Sequence, residues 1–417
     1  MTPKNHDLTM ETLIHKTVLP DGLTVITERI PGVRSVSIGI WIKAGSQTDS
    51  LKNMGMAHFI EHMFFKGTEK RSVFEIAYVL ESLGGSLNAF TTRDLTCYYA
   101  CVLDEHIVQA VDVLSDILTH SVCAAEEIER EKKVVMEEIR SSFDIPEELA
   151  LDTFTDNVLN PHPESKPILG ILDTVTGFQR SQIYDYVSSH YCAPHIVIAA
   201  AGNIEHQFLV ELVTRYFQFN NSQSTGVVQN SVKKIDSYIN IKKKISQAHI
   251  CYGGKIFGYT DTRRMSLSVL NTILGNGMSS RLFQNIREKY GLTYSIYSFT
   301  ELLLSVGVIA TYAATDVKNI KKTLKLIDEE YDRLKNEIID EKSIYYAKSQ
   351  LKGNLVLSLE SSLNRMSWHA KNEIYLNTYY EIDDTIHQID EVTPEQVQKV
   401  AQEIFDKANI YALIVSP

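Results

Sequence analysis

His58-Phe59-Ile60-Glu61-His62 sets two imidazoles four residues apart with a carboxylate between them. On an α-helix, positions i and i+4 share a face, so both rings can reach one metal ion. Glu61 lies on nearly the same face, where it can take a proton from a water beside that ion. A lone histidine on an apolar face is ordinarily a hydrogen-bonded core residue; two that flank an acid favour a metal. Catalytic zinc takes three protein ligands and leaves a fourth position for water, so one more donor is needed. The segment Ala125–Ser142, AEEIEREKKVVMEEIRSS, is strongly helix-forming and rich in acid. Within it Ile128, Glu131, Val135 and Glu138 fall on one stripe, and carboxylates beside Ile and Val are unexpected unless something there needs them. The stripe selects Glu138 as the third ligand and puts Glu131 two turns earlier, placed to orient a ligand. Glu137 lies on another face, with Arg130, Val134 and Ser141, and reads as solvated. Taken without the histidines, the segment reads as an exposed, charge-rich helix.

The elements that must carry these groups are legible around them. Gly55 and Gly67 bound a helix that includes Met63, Phe64 and Phe65. Ser72 and Glu75 form a capping box, and Phe74, Ala77, Leu80 and Leu83 recur at helical spacing before Gly84-Gly85 ends the element. Ser35–Ile42 reads as a strand, and Thr393, Pro394 and Gln396 start the last long helix. The stretch 220–240, poor in large apolar residues and rich in Asn, Ser and Lys, reads as a linker between domains 1–219 and 241–417.

The two halves echo each other. Val175-Thr176 and Val392-Thr393 each precede an apolar run, from Ile196 and from Ile410, at offsets of 217 and 214 positions. A second echo aligns Asp104 with Asp316, 212 positions apart. Similar offsets at separate places predict an internal duplication. The expected fold class is therefore α+β: two homologous α/β-layered domains of about 200 residues each, a size that supports one core per domain.

Bulk composition sets limits. A chain of 417 residues corresponds to about three domains, or two large ones, at roughly 150 residues each. With 44% hydrophobic and 22% charged residues it is an ordinary globular composition. The net charge of −11 argues against a general nucleic-acid binder, which needs excess cations to neutralise phosphates. Ile196–Ala201 and the interrupted run Leu302–Ala314 are too short to span a bilayer, which takes roughly 18 apolar residues, so no membrane span is expected. The first residues, MTPKNHDLTMETLIHK, contain no apolar core of a signal peptide. Five cysteines without a CxxC pair predict free thiols in a reducing compartment, with the cytoplasm as default.

HFIEHMFFKGT, with Glu138 of EREKKVVMEEI following 76 positions after His62, resembles the insulinase (pitrilysin) family of inverzincin metallopeptidases. The half-length members, which include mitochondrial processing peptidase and its bacterial relatives, are the most similar type. GGSLNAFTTRDLTCYY from Gly84, KPILG from Lys166, HIVIAAAGNIEH from His195 and LNTILGNGMSSRLFQNIREKYGLTYSIYS from Leu270 extend the resemblance over nearly the whole chain. It implies Zn2+ held by His58, His62 and Glu138, Glu61 as general base and Glu131 as supporting acid. The second half has no HxxEH, so one zinc per chain is expected. Asn88-Ala89-Phe90-Thr91 is implied as the edge strand on which a peptide is laid, and Arg287 and Tyr294 as a pair reaching the active site. Without the resemblance that pair reads as a salt-bridged helix end and a strand aromatic. The resemblance further implies hydrolysis of unfolded peptides or precursor segments inside a chamber of four such domains. A two-domain chain would complete the chamber as a homodimer or with a paralogous partner, Arg287 and Tyr294 serving the opposite zinc. Two rival readings are a non-catalytic core or substrate-binding subunit and a purely structural zinc site. Glu164-Ser165 stands where many relatives carry a Leu-Gly type turn, a departure confined to loop shape.

Overall fold

Two apolar sheets organise the chain, and a computed structural model describes residues 13–219, 236–378 and 380–417 of it. The first sheet is built from β1 (Ile14–Val18), β2 (Thr24–Arg29), β3 (Ser35–Ile42), β4 (Ser86–Thr91), β5 (Thr96–Leu103) and β6 (Ile196–Gly202). Their order is β1-β2-β6-β3-β5-β4. The second sheet contains β7 (Tyr238–Lys242), β8 (Ala248–Phe257), β9 (Thr293–Leu302), β10 (Val306–Thr315) and β11 (Tyr411–Ser416), in the order β7-β11-β8-β10-β9. Apart from β1, the two orders match strand for strand. Each sheet has one parallel pair, β2 with β6 and β7 with β11, at the same place. The duplication expected from the offsets is therefore a property of the fold. Of the expected linker, 220–235 lies outside the described residues, and Tyr238–Asn240 is already strand.

The first half adds α1 (Met56–Phe64), α2 (Val73–Glu81), α3 (Ile107–Thr119), α4 (Ala125–Asp144), α5 (Pro146–Leu159), α6 (Leu172–Gly177), α7 (Arg180–His190) and α8 (His206–Tyr216). The second adds α9 (Arg264–Gly275), α10 (Ile320–Asn336), α11 (Glu341–Ser358), α12 (Ser362–Leu376), α13 (Ile382–Asp390) and α14 (Pro394–Ile404). Both predicted capping boxes form, Ser72 with Glu75 at α2 and Thr393 with Gln396 at α14. The face predicted for α2 holds at Leu80, which is buried, but not at Phe74 and Ala77, which are exposed. Phe74 is 70% exposed and stacks on Tyr78, while Ile76 and Leu80 are buried. Helical spacing fits either stripe of this largely apolar helix, and the sheet selects the second. Val175 and Thr176 lie inside the short helix α6 rather than opening the next one; α7 and α14 start 214 positions apart, the offset of the apolar runs from Ile196 and Ile410.

Both faces of each sheet are buried, which is why these strands read as near-continuous apolar runs. Ile38 and Ile40 of β3 face the core shared with α1 and α3, while Trp41 faces Met366 and Ala370 of α12. In the second sheet Ile309 and Ala313 face α9 and α14, while Val308, Ala310 and Tyr312 face Leu149, Phe154 and Val158 of α5. Each half thus sends one helix to the far face of the other half's sheet. Fully burying side chains such as Phe154 or Met366 contributes about 1.5–3 kcal/mol each. Ion pairs reinforce the exchange at α12, where Glu28 of β2 accepts from Arg365 and lies 2.8 Å from His369 Nε2.

Candidate metal centre

α1 begins where the chain turns through Gly55, whose φ of +90° favours glycine, and a Cβ there would meet the Leu169 carbonyl at 2.6 Å. The free amides of the first turn need acceptors. Asp49 supplies them: its fully buried carboxylate accepts from Gly55 N at 2.7 Å and Ala57 N at 3.2 Å. Burial raises the Asp49 pKa to about 7, against the opposing pull of those amides and of Lys166. This cap fixes the pitch from which the histidines project.

One turn apart on α1, the His58 and His62 rings lie 4.6 Å apart between centroids. From α4, Glu138 Oε2 approaches His62 Nε2 to 3.6 Å and His58 Nε2 to 3.8 Å. The donor atoms of all three residues lie within 4.8 Å of one another, the one such group of at least three among the described residues. These separations exceed a hydrogen bond. They approach the roughly 3.4 Å between donors that each sit about 2.1 Å from a tetrahedral ion. Burial, then the neighbouring His62, pushes the His58 pKa down to about 3, so its ring is neutral and its lone pair available. His58 Nδ1 is buried and has no hydrogen-bond partner among the described residues. The donor set, two imidazoles and one carboxylate, suits zinc.

Glu131 is buried beside His62 and bridges that ring to Lys66: Oε2 is 3.1 Å from His62 Nδ1, and Oε1 is 2.8 Å from Lys66 Nζ. With Nδ1 held there, Nε2 is turned toward Glu138. Burial lowers the His62 pKa, but the Glu131 hydrogen bond and the surrounding carboxylates outweigh it and leave a net rise. Glu137 points away, paired with Arg140 in solvent. The structure thus brings Glu138, and not Glu137, beside the two histidines, with Glu138 at the solvent margin of the stripe and 44% of its side chain exposed.

Glu61 shares the centre with an unexpected partner. Thr91 Oγ1, at the end of β4, donates to Glu61 Oε2 at 2.6 Å. Burial raises the Glu61 pKa, and the Thr91 hydrogen bond acts against that rise. β4 is an edge strand paired only with β5, so Asn88, Ala89, Phe90 and Thr91 all lie on a strand whose outer side has no partner among the described residues. Phe90 packs edge-on against Trp41 and Asn88 is exposed.

Arg287 and Tyr294 meet each other, but their contacts are not with this centre. The Arg287 guanidinium lies 5.2 Å from the Tyr294 ring centroid and 4.4 Å from that of Phe283. Arg287 is in a π-helical turn, Phe283–Glu288, and Tyr294 is 80% exposed near the start of the edge strand β9.

Residue spacing missed Asp49, Lys66 and the hydroxyl of Thr91, and it missed Arg93. The Arg93 side chain is buried, pairs with Asp156 at 2.8 Å and Glu301 at 3.4 Å, and donates to the carbonyls of Glu164 and Lys166. It lines a cavity of about 110 Å3 with Asp152, Asp156 and the Ile139–Phe143 end of α4. Burial, against the opposing charge of Arg93, raises Asp156 to about 6. The unusual Glu164 is buried in a 3₁₀ turn, 3.2 Å from His162 Nδ1. Its local signal is the turn itself, Pro163–Ser165, which brings its carbonyl to Arg93.

Comparison with known proteins follows this geometry. The family model described as Insulinase (Peptidase family M16) matches residues 24–171, and the one described as Peptidase M16 inactive domain matches 177–351. An uncharacterized zinc protease of Bacillus subtilis, YmxG, is 36% identical over 96% of this chain and 98% of its own. The chain belongs to the insulinase family, M16. Another family relative, an uncharacterized zinc protease of Mycobacterium leprae, is 36% identical over 94% of this chain and 89% of its own. Among solved structures, a protease from Helicobacter pylori superposes with a TM-score of 0.90 at 20% identity, covering 97% of this chain and 99% of that one. A chain of complex III2 from Candida albicans gives 0.84 at 18% identity, over 96% and 95%. Both share the M16 fold. No helix among the described residues is long and apolar enough to cross a membrane.

Proposed function

We propose that the chain is a zinc-dependent metalloendopeptidase that hydrolyses unfolded peptides or precursor segments. The observation that carries this is the convergence of His58, His62 and Glu138 with Glu61 on the intervening turn of α1. His58, His62 and Glu138 would hold one Zn2+ per chain. When bound, that ion would lower the pKa of a water and polarise a peptide carbonyl. Glu61, with its raised affinity for a proton, takes one from the attacking water and delivers it to the leaving amine nitrogen. Thr91 holds the carboxylate that does this, and Glu131 holds the His62 ring. A peptide binds as an added strand along Asn88–Thr91, where backbone hydrogen bonds accept varied sequences.

Tyr294 donates a hydrogen bond to the oxyanion, with Arg287 beside it. Because Tyr294 is exposed and the contacts of half-buried Arg287 are to Tyr294, Phe283 and Glu288 rather than to the centre of its own chain, the pair serves the centre of a partner, a second copy or a paralogue. The five free cysteines favour a reducing location such as the cytoplasm. The decisive comparison is wild type against Glu61→Gln, for zinc content and for cleavage of an unfolded peptide. The variant keeps zinc and loses turnover. Equal turnover would eliminate the peptidase reading, and absence of zinc from both would favour a non-catalytic subunit. Mixing Glu61→Gln chains with Tyr294→Phe chains restores activity above either alone; no recovery would remove the action in trans.

A further inference from the structure

The duplication pairs every element around the metal centre with one in the second half. β3 and α1 correspond to β8 and α9; α4, α5, α6 and α7 correspond to α11, α12, α13 and α14. In the first half α4, α5 and the loop before α6 enclose the cavity lined by Arg93, Asp152 and Asp156. In the second half α9, α11, α12 and α13 enclose a cavity of about 260 Å3. It runs into a neighbouring one of about 550 Å3, because Arg264, Met265 and Tyr380 line both. α5 and α12 begin 216 positions apart, so the acids Asp152 and Asp156 correspond to Trp368 and Asn372. The acidic lining of one half is an aromatic and an amide in the other.

We propose that this second-domain cleft is a binding site for an organic carboxylate that carries an apolar group. The inner part is walled by Trp368, Leu351, Leu355 and Ile389, and no acidic residue lines it. Asn372 lines it too; this residue is 3% exposed, and its Nδ2 has no hydrogen-bond partner among the described residues. Arg264 stands at the junction of the two parts. Its guanidinium donates to Gln388 Oε1 at 3.1 Å and lies 5.8 Å and 5.9 Å from the ring centroids of Tyr259 and Tyr380. Among the described residues no carboxylate pairs with it, although it is half-buried; the acids beside it, Asp261 and Glu403, pair with Arg263 instead. Beyond it, in the first turn of α9, Ser266 is 6% exposed and lines the outer part, where Lys399 places a cation at the rim. The one acid lining the outer part, Glu391, pairs with His387 at 3.2 Å.

A half-buried guanidinium without a counter-charge is a planar fork awaiting two oxygens. A carboxylate between Arg264 and Lys399 would satisfy it, with the apolar group seated against Trp368. The combined space is within the range of small-ligand sites. The same chemistry belongs to the C-terminal residue of a peptide and to a free acid of similar size. The inference stands apart from the peptidase reading, because binding needs neither turnover nor zinc.

Full-length Glu61→Gln protein, which preserves any peptide added, is titrated with N-acetyl-phenylalanine, with its amide, and with a ten-residue peptide ending in free phenylalanine. Heat and tryptophan fluorescence are followed together. Trp41 is fully buried under α12, so a saturable fluorescence change reports on Trp368. The acid binds and the amide binds at least about tenfold more weakly, the scale of losing a charged hydrogen bond. Adding Arg264→Gln or Lys399→Gln weakens the acid with unchanged melting temperature, while adding Trp368→Phe removes the fluorescence change and leaves the heat. Tighter binding of the peptide than of the small acid assigns the cleft to peptide C-termini; equal binding assigns it to free acids. Equal binding of acid and amide, no saturable heat with either carboxylate, or full affinity in both Arg264→Gln and Lys399→Gln overturns the proposal.

Discussion

Replacing Thr91 with valine keeps the β-branched shape at the end of β4 and deletes the one hydroxyl that holds Glu61. The 2.6 Å hydrogen bond is to an ionisable acceptor, a class worth about 1.5–3 kcal/mol. Because Glu61 is only half-buried, water replaces part of that, and the lower end applies. If the loss falls on the transition state, kcat drops roughly tenfold, at about 1.4 kcal/mol per factor of ten. KM stays near wild type, since an added strand is held by backbone groups. The hydroxyl also counters the burial that raises the Glu61 pKa, so its removal moves the acid limb of the pH profile upward. Steady-state cleavage of a quenched fluorescent peptide over pH 5–8, with zinc content measured in parallel, reads all of this. Thr91→Ser retains the donor and should retain kcat. A Thr91→Val enzyme with full kcat and an unmoved acid limb would refute the assignment.

Glu131→Gln leaves Lys66 without its buried counter-ion and weakens the acceptor at His62 Nδ1, so zinc affinity should fall about 10–100-fold in a competitive chelator titration. Phe154→Ala empties the contact between α5 and the second sheet and should cost about 3–5 kcal/mol in urea unfolding, although it lies in the first half of the sequence. Asp156 holds its proton up to about pH 6 in the folded chain, against about 3.8 for the free side chain. The native state therefore binds more protons than the unfolded one between those values. The stability owed to this group falls as pH rises from about 4 to about 6 and is flat above. Asp156→Asn should remove that one-proton slope from the difference in urea midpoints between pH 4.5 and 7, and parallel curves would count against it.

Local rules made part of the centre legible. His58 and His62 share a face because helix geometry dictates it, and the stripe through Ile128 and Val135 separated Glu138 from Glu137 with no tertiary information. The duplication was legible for the same reason, as matched offsets survive even where residues differ. Thr91, Asp49 and Arg93 were not, because each acts on groups brought near only by the path of the chain through the sheet. The stripe through Phe74 held only in part where a helix offered two apolar faces. Nor could any pattern reveal that α5 and α12 settle on each other's sheets, since an apolar face does not name its partner.

That exchange has a consequence for descent. Two matching units that each complete the other's sheet are, apart from the covalent connection, the arrangement of a domain-swapped pair. An ancestor of one unit's length would have left a hydrophobic sheet face bare until a twin covered it. Fusion of the two copies would then have turned a concentration-dependent association into an intramolecular one, freeing one copy to lose its histidines while still covering its neighbour.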